Sequence, residues 1–236
     1  TPLVEGGDVV EGLGERVLRP ADPDAATQLH AAALHAFTAQ DLATAARRCD
    51  EALAVAPDHA DALRLRALIH LRLREHEAAE DCARRALALA PERPEFHHTL
   101  GYVCRAQDRL DEAARHYRRA LALDAGHFES LLGLGAVQAL QGRLDEAKDC
   151  YRRAVALRPG VAAAHYNLGR AHEEAGELEP AAQCYRQALS LNPAQAQAWL
   201  NLGGVASQLG DAHGAVDALR RALALRPDYA AAHNNL

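Results

Sequence analysis

The chain of 236 residues contains no methionine, one tryptophan, 4% aromatic residues and a single lysine, Lys148. With so few large side chains, much of its 49% hydrophobic content is alanine, which favours closely packed helices. The remaining basic residues are arginines. This bias is typical of a GC-rich coding sequence and gives the chain a bacterial-like composition; a recognition role for the arginines is the alternative interpretation.

Long apolar runs are also absent. No stretch of 18 apolar residues occurs, so no membrane insertion is expected, and the chain does not begin with a signal-peptide pattern. The net charge of -6 disfavours nucleic acid as a partner, because phosphate binding needs clustered cations. HExxH, CxxC, GxSxG and P-loop motifs do not occur, so we expect no metal, no cofactor and no catalytic site.

One phrase, by contrast, recurs every 34 residues. Its copies end at Pro57, Pro91, Ala125, Pro159, Pro193 and Pro227. A fixed period of this length is typical of a solenoid built from stacked helical pairs. With those residues at position 32, six repeats span 26–59, 60–93, 94–127, 128–161, 162–195 and 196–229, and 230–236 begin a seventh. Residues 1–25 precede the repeats and are either a flexible leader or a cap on the first repeat.

Each repeat contains the pattern of two helices. Apolar residues at positions 4, 7, 8 and 11 predict a first helix, and those at 17, 20, 24, 27, 28 and 30 a second helix, which proline ends. Positions 8, 20 and 27 hold only alanine or glycine, so close helix contacts are expected. A tyrosine at position 24 accompanies a glycine at position 8 in three repeats and is predicted to fill its space. The pairs are Gly101 with Tyr117, Gly135 with Tyr151 and Gly169 with Tyr185.

The 13 histidines and five cysteines also fall on repeat positions. His97, His165 and His233 share position 4, and His70 and His172 share position 11, where packing is expected. A histidine-based metal or haem carrier is the alternative, although no tight cluster supports it. Disulfides between neighbouring repeats are disfavoured by distance, so the cysteines are predicted to be small buried side chains in a reducing compartment. They are Cys49, Cys82, Cys104, Cys150 and Cys184.

The repeat resembles the tetratricopeptide repeat (TPR) family over residues 26–229 and the fragment 230–236. LGYVCRAQDRLDEAARHYRRALALD and NLGRAHEEAGELEPAAQCYRQALSLNP carry the small, large and proline positions of that family in register. The resemblance implies an all-α, right-handed α-solenoid of tandem 34-residue helix-turn-helix repeats, with the first helices lining a concave groove. Arg66 and His76 depart from the family pattern, because both stand where leucine is usual.

By the same resemblance, positions 2, 5, 6, 9, 12 and 13 face the groove. Position 6 holds Asn167, Asn201 and Asn235 in successive repeats. An amide can both donate to and accept from a peptide backbone. The series is similar to the asparagine ladder of O-GlcNAc transferases, or else it only reflects the family consensus. The predicted peptide-binding groove residues are therefore these three asparagines together with Tyr166, Arg170 and Tyr102.

The sequence thus predicts a non-enzymatic, cytoplasmic scaffold that binds a protein or an extended peptide. The alternative function is the substrate-recruiting region of a larger modifying enzyme, such as a glycosyltransferase. Only seven residues follow the sixth repeat, so Leu202, Leu219 and Leu223 are expected near an edge. Such an edge predicts either that the native chain continues or that it associates with a second copy.

Overall fold

A computed structural model of the protein describes residues 23–236. Residues 1–22, and with them the suggested cap, lie outside the described residues. Within 23–236 the structure has thirteen α-helices and no strand. They are α1 Pro23–Thr38, α2 Leu42–Val55, α3 Ala60–Arg72, α4 His76–Leu89, α5 Pro94–Ala106, α6 Leu110–Leu123, α7 Phe128–Leu140, α8 Leu144–Leu157, α9 Ala162–Glu174, α10 Leu178–Leu191, α11 Ala196–Gln208, α12 Ala212–Leu225 and α13 Ala230–Asn234.

The helices pack pairwise along the chain and form an all-α solenoid. The first helix of each full repeat occupies positions 1–13, except that α1 begins three residues earlier. The second helix of each repeat occupies positions 17–30. Each helix contacts the next, and the odd-numbered helices from α1 to α9 also contact one another. Within residues 23–236 the even-numbered helices make no comparable contact with each other. The first helices therefore lie on the inner, concave side of the solenoid.

The turn inside each hairpin has a left-handed residue at position 15. Its φ is 62° at Gln40 and Arg74, 60° at Asp108 and 73–79° at three glycines, Gly142, Gly176 and Gly210. The amide at position 16 then donates to the carbonyl at position 11, as in Glu75 to His70 at 2.9 Å. This bond satisfies a carbonyl at the end of the first helix. The same turn is built with glycine in the last three hairpins and without it in the first three.

Small residues allow the helices to approach closely, as the sequence predicts. The alanines at position 27 are all fully buried. A Cβ atom added to Gly101 would lie 3.0 Å from the Tyr117 ring. One added to Gly135 would lie 2.7 Å from Tyr151, and one added to Gly169 would lie 2.9 Å from Tyr185. The predicted packing of tyrosine against glycine is therefore confirmed.

The carbonyl at position 32 always receives one side-chain hydrogen bond from the following repeat. His97, His165, Trp199 and His233, at position 4, donate to it from a ring nitrogen at 2.8–3.0 Å. In the second and fourth repeats, where position 4 is Leu63 or Leu131, the hydrogen bond comes instead from an arginine at position 26 of the same repeat. The two arginine bonds run from Arg85 to Pro57 at 3.2 Å and from Arg153 to Ala125 at 3.1 Å.

Two further histidines make local contacts, and the five cysteines are unpaired. His70 and His172, at position 11, both pair through Nδ1 with the glutamate at position 16, Glu75 or Glu177. All five cysteines are free, and three of them are buried. Burial raises the pKa of every one of these thiols, to about 12 for Cys49. Neutral thiols of this kind are poor nucleophiles and poor metal ligands.

Three expectations from the sequence need correction or detail. Position 30 does not belong to the buried face, because its leucines lie in the last turn of the second helix. Four of them are 39–47% exposed: Leu89, Leu157, Leu191 and Leu225.

The predicted edge after the sixth repeat is partly covered. Leu202 and Leu219 are buried, and Leu219 packs with Ala232 of α13, whereas Leu223 is half-buried. Arg66, in place of leucine, pairs with Asp50 at 2.9 Å. His76 leaves Nδ1 buried without a hydrogen-bond partner in residues 23–236.

Candidate functional site

A groove of about 470 Å³ lies in the middle of the concave face. It is lined by first-helix residues of α5, α7 and α9 at positions 2, 5, 6, 9, 12 and 13, with Ala171 at position 10. Two tyrosines of α6 and α8 complete the lining. The helix positions that the family resemblance assigns to the groove are therefore those that line it here. These residues are His98, Tyr102, Arg105, Tyr117, Glu129, Leu132, Gly133, Ala136, Ala139, Leu140, Tyr151, Asn167, Arg170, Ala171 and Glu174.

Tyr117 and Tyr151 reach the groove from the layer of second helices. Tyr117 does so because position 6 of the fourth repeat is Gly133, on which a Cβ atom would lie 2.6 Å from the ring. Burial raises the pKa of both phenols, to about 12 for Tyr151. Both hydroxyls therefore stay neutral at physiological pH and can donate as well as accept a hydrogen bond. The sequence indicated their packing role only. Gly133, the glycine at position 6, was the available sign that a ring would lie directly beneath the groove surface at this point.

The groove contains one arginine without a counterion. The Cζ atom of Arg105 lies 5.2 Å from the centre of the Tyr102 ring, and Arg105 forms no ion pair with any residue in 23–236. Arg170 pairs with Glu174 at 2.8 Å, and Glu129 is held by Arg158, outside the groove lining, at 2.9 Å. Of the two arginines that line the groove, Arg170 is thus neutralised by an acid and Arg105 is not.

His98 is a neutral member of the same lining. Its ring centre lies 5.7 Å from that of Tyr117 and 5.5 Å from that of His127. Burial, and to a smaller extent the charge of His127, lowers the pKa of His98 to about 4. The imidazole therefore contributes a hydrogen-bonding ring to the groove at neutral pH, and not a second positive charge.

Three of the predicted site residues meet in this groove and three do not. Asn167, Arg170 and Tyr102 all line it. Asn167 is half-buried, and its side chain makes no hydrogen bond within residues 23–236. Tyr166 lies outside the lining and packs beside Tyr185, with ring centres 5.8 Å apart.

The other two asparagines have different surroundings. Asn201 donates to the hydroxyl of Tyr185 at 3.1 Å and accepts from Gln197 at 2.9 Å, so both ends of its amide are engaged. Asn235 is exposed and is the C-cap of α13.

Position 6 does not face the groove in every repeat, contrary to the expectation. Leu65 and Thr99 occupy it in the second and third repeats and are each only 1% exposed. The Thr99 hydroxyl donates to the carbonyl of Glu95 at 2.8 Å, inside its own helix. A continuous row of groove-facing side chains at position 6 is therefore absent from the first half of the solenoid.

Metal binding and membrane insertion find no support in the described residues. In the range 23–236, no group of three or more histidine, cysteine, aspartate or glutamate side chains is placed to hold a metal ion. No helix in that range combines the length and apolar character needed to cross a bilayer.

Two family models described as tetratricopeptide repeat match the sequence. One matches residues 94–159 and 128–194, and the other matches 30–94 and 175–230. The chain belongs to the tetratricopeptide repeat family. TPR folds commonly serve as protein-interaction scaffolds, and that general role applies to this chain. A comparison with curated proteins finds no match.

Solved structures of the same fold cover most of this TPR chain. It is similar to PilW, a type IV pilus biogenesis factor, with 25% identity and a TM-score of 0.81 over 89% of this chain and 97% of PilW. PilF of Pseudomonas aeruginosa shares 19% identity with a TM-score of 0.79, over 90% of this chain and 96% of PilF. YrrB, described as a TPR protein with an unusual peptide-binding site, shares 21% identity with a TM-score of 0.62, over 79% of this chain and 96% of YrrB.

Proposed function

We propose that this chain is a non-enzymatic scaffold that binds an extended segment of a partner protein in the central groove. The observation that carries the proposal is the meeting of Asn167, Arg170 and Tyr102 in one cavity of about 470 Å³. Asn167 brings an amide without a hydrogen-bond partner within 23–236, and Tyr102 brings an aromatic face. Side chains of these kinds recognise peptides without performing a reaction on them.

Asn167 is suited to hold a peptide backbone. Its amide offers donors and an acceptor, which match the carbonyl and N–H groups of one residue of an extended chain. Because the amide is half-buried, a peptide hydrogen bond there is partly shielded from water. The second asparagine of the series, Asn201, already bonds to Tyr185 and Gln197, so its amide is less available to a peptide than that of Asn167. We therefore propose Asn167 as the main backbone contact and Asn201 as a secondary one.

Peptide selection tests this function. Random peptides of twelve residues, displayed as fusions, are panned against the protein, and enriched sequences are synthesised with a fluorescent label. Replacing Asn167 by Ala is expected to weaken binding about tenfold, the effect of losing one or two hydrogen bonds. Ala136→Arg, which fills the groove, is expected to abolish binding.

The matched control is Gln183→Ala, which removes an exposed amide from α10 outside the groove and is expected to leave affinity unchanged. Thermal unfolding shows whether each variant remains folded. If no peptide is enriched, or if Ala136→Arg binds as the wild type does, this groove is not a peptide site.

A second candidate function is the substrate-recruiting region of a larger modifying enzyme, such as a glycosyltransferase. The recurrence of asparagine at position 6 in the last repeats favours it, because that series resembles the ladder of O-GlcNAc transferases. The reading frame beyond the codon for Leu236 distinguishes the two. A glycosyltransferase domain there supports the second candidate, and a stop codon close to it contradicts that candidate.

We also propose a cytoplasmic location, which the free thiols support. All five cysteines are unpaired, and burial raises the pKa of each. Mass spectrometry of the native protein after alkylation under denaturing conditions tests this location. Five alkylated cysteines are expected, and any disulfide found in native material contradicts it.

A further inference from the structure

We propose that the segment bound in the central groove carries an acidic side chain, and that Arg105 recognises it. This inference rests on the proposed peptide-binding function and names the chemistry of the ligand. Arg105 is at position 12 of α5, half-buried, and lines the middle of the groove. Its guanidinium is the groove cation that no acid of residues 23–236 neutralises.

The two acids that line the groove already pair with other arginines. Glu129 pairs with Arg158 at 2.9 Å, and Glu174 pairs with Arg170 at 2.8 Å. Burial raises the pKa of Glu129, yet hydrogen bonds from its own amide and from Arg158 outweigh this and keep the pKa below its ordinary value. Glu129 therefore stays ionised and bound to Arg158, which leaves Arg105 available to a carboxylate from outside.

Arg105 shares the groove with neutral hydrogen-bonding groups. The hydroxyls of Tyr117 and Tyr151 and the ring of His98 belong to the same lining as its guanidinium. Neutral phenols can donate to an anion alongside the fork of an arginine. A carboxylate bound at this point would thus find several donors, and a lysine ammonium would find a like charge.

The wall beside these donors is apolar. It consists of Leu132, Ala136, Ala139 and Leu140, of which Leu140 is 66% exposed. The residues that flank the acidic side chain are therefore expected to be small or aliphatic. The concave face continues on both sides of the groove, because α3 precedes and α11 follows the helices that line it. A chain can pass through, so we assign the carboxylate to an internal aspartate or glutamate and not to a chain terminus.

The displayed peptides described above test this assignment, because their carboxyl ends are fused and cannot supply a terminal carboxylate. Enrichment of aspartate or glutamate beside aliphatic residues is expected with the wild type, and loss of that preference with Arg105→Gln. The carboxyl-terminally amidated form of an enriched peptide is then compared with its Asp→Asn or Glu→Gln analogue. The acidic form is expected to bind the wild type about 10- to 100-fold more tightly, the range for a hydrogen bond to a charged group.

Arg105→Gln is expected to reduce this ratio to less than about twofold, and a double-mutant cycle isolates the pairwise effect. Arg118→Gln, which removes an exposed arginine of α6, is the matched control and should keep the full ratio. Equal binding of the acidic and amide peptides, or an acidic preference that persists in Arg105→Gln, overturns the role of Arg105 and leaves the proposed function standing. Failure to enrich any peptide overturns both.

Discussion

The imidazole Nε2 of His165 donates its hydrogen to the backbone carbonyl of Pro159, 2.9 Å away. The carbonyl at position 32 lies in the loop that joins two repeats, beyond the end of the second helix. The hydrogen bond from the following repeat satisfies this carbonyl and fixes the loop. Ring nitrogens at position 4 perform this task in four repeats and arginines at position 26 in two. The same backbone acceptor is thus satisfied in every repeat, by a ring from the first helix in four cases and by an arginine from the second helix in two.

Replacing His165 by Leu is expected to lower the free energy of unfolding by about 1 kcal/mol, because the Pro159 carbonyl loses its donor. The second substitution Gln187→Arg, at position 26, should recover most of the loss, as Arg153 does where position 4 is leucine. Urea unfolding followed by circular dichroism measures both effects. Gln187→Arg alone should change stability by less than about 0.5 kcal/mol, and a failure of rescue would show that the two donors are not interchangeable.

The hairpin turns predict a second stability effect. Arg74 has a φ of 62°, in the region that disfavours side chains, whereas Gly142 occupies the same position with a φ of 73°. Arg74→Gly is expected to raise the free energy of unfolding by about 0.5–1 kcal/mol, because relief of strain exceeds the added freedom of the unfolded chain. Gly142→Ala is the reciprocal control and should lower stability by a similar amount. Thermal unfolding midpoints measure both.

Tyr117 is held between two glycines, which predicts a large effect of one methyl group. A Cβ atom on Gly133 would lie 2.6 Å from the ring. The ring also packs against Gly101, where an added Cβ atom would lie 3.0 Å from it, so it has little room to move away from Gly133. Gly133→Ala is therefore expected to destabilise the protein by about 1–3 kcal/mol. Repeating the change in a Tyr117→Leu background should nearly remove the effect.

Gly204→Ala provides the control for this experiment. Gly204 lies inside α11 with no atom near its missing Cβ, so alanine should stabilise the protein by about 0.5–1 kcal/mol. Urea unfolding compares the variants. If Gly133→Ala behaves as Gly204→Ala does, the ring of Tyr117 is not confined as described.

Stability is expected to fall between pH 6.5 and pH 4. His98 has a pKa of about 4 in the folded protein and about 6.5 when unfolded, so the unfolded chain binds more protons across this interval. Stability therefore rises with pH there, and His98 alone contributes up to about 3 kcal/mol of loss at the acid end. His30, His97 and His116 add to it in the same direction, because burial lowers the pKa of each.

Urea unfolding at pH 4.5 and 7.5 measures this dependence. Position 5 is leucine in two other repeats, Leu132 and Leu200. His98→Leu introduces the same residue and should reduce the dependence of stability on pH. The charges that act on the pKa of His98 are those of His127, Glu129, Arg64 and Arg105, and the His127 ring lies beside it, so the same comparison in His127→Gln separates the contribution of that ring. An unchanged slope in His98→Leu would show that other groups control acid stability.

The helices could be predicted from the sequence because the period and the apolar spacing fix them independently in every repeat. Position 30 was misplaced for a simple reason: its leucines fit the helical spacing, yet they lie in the last turn, where solvent reaches them. The spacing of apolar residues shows which residues share a helix face. It does not show whether a neighbouring helix extends far enough to cover the last turn. The groove positions followed from the family resemblance, whereas the burial of Leu65 and Thr99 depended on packing within this chain.

The candidate site was only partly predictable. Asn167 and Asn201 have the same repeat position and are both followed by Leu-Gly, yet only Asn201 bonds to a tyrosine of the preceding repeat. Tyr185 is 16 residues away, and its hydroxyl is placed by the packing of two hairpins. Such a contact depends on sub-ångström register, which residue types alone do not specify.

The alternation of donors at the repeat loops bears on how such a chain can grow. Positions 4 and 26, the two sources of the hydrogen bond, belong to the same 34-residue block, and the carbonyl belongs to the block before it. The first block has Leu29 and Glu51 at these positions and encodes neither donor. A duplication or deletion of any later whole block during evolution would therefore leave every loop carbonyl with a donor. Length can change by unequal recombination without new compensating mutations at the joints, whichever of the two donors a block encodes.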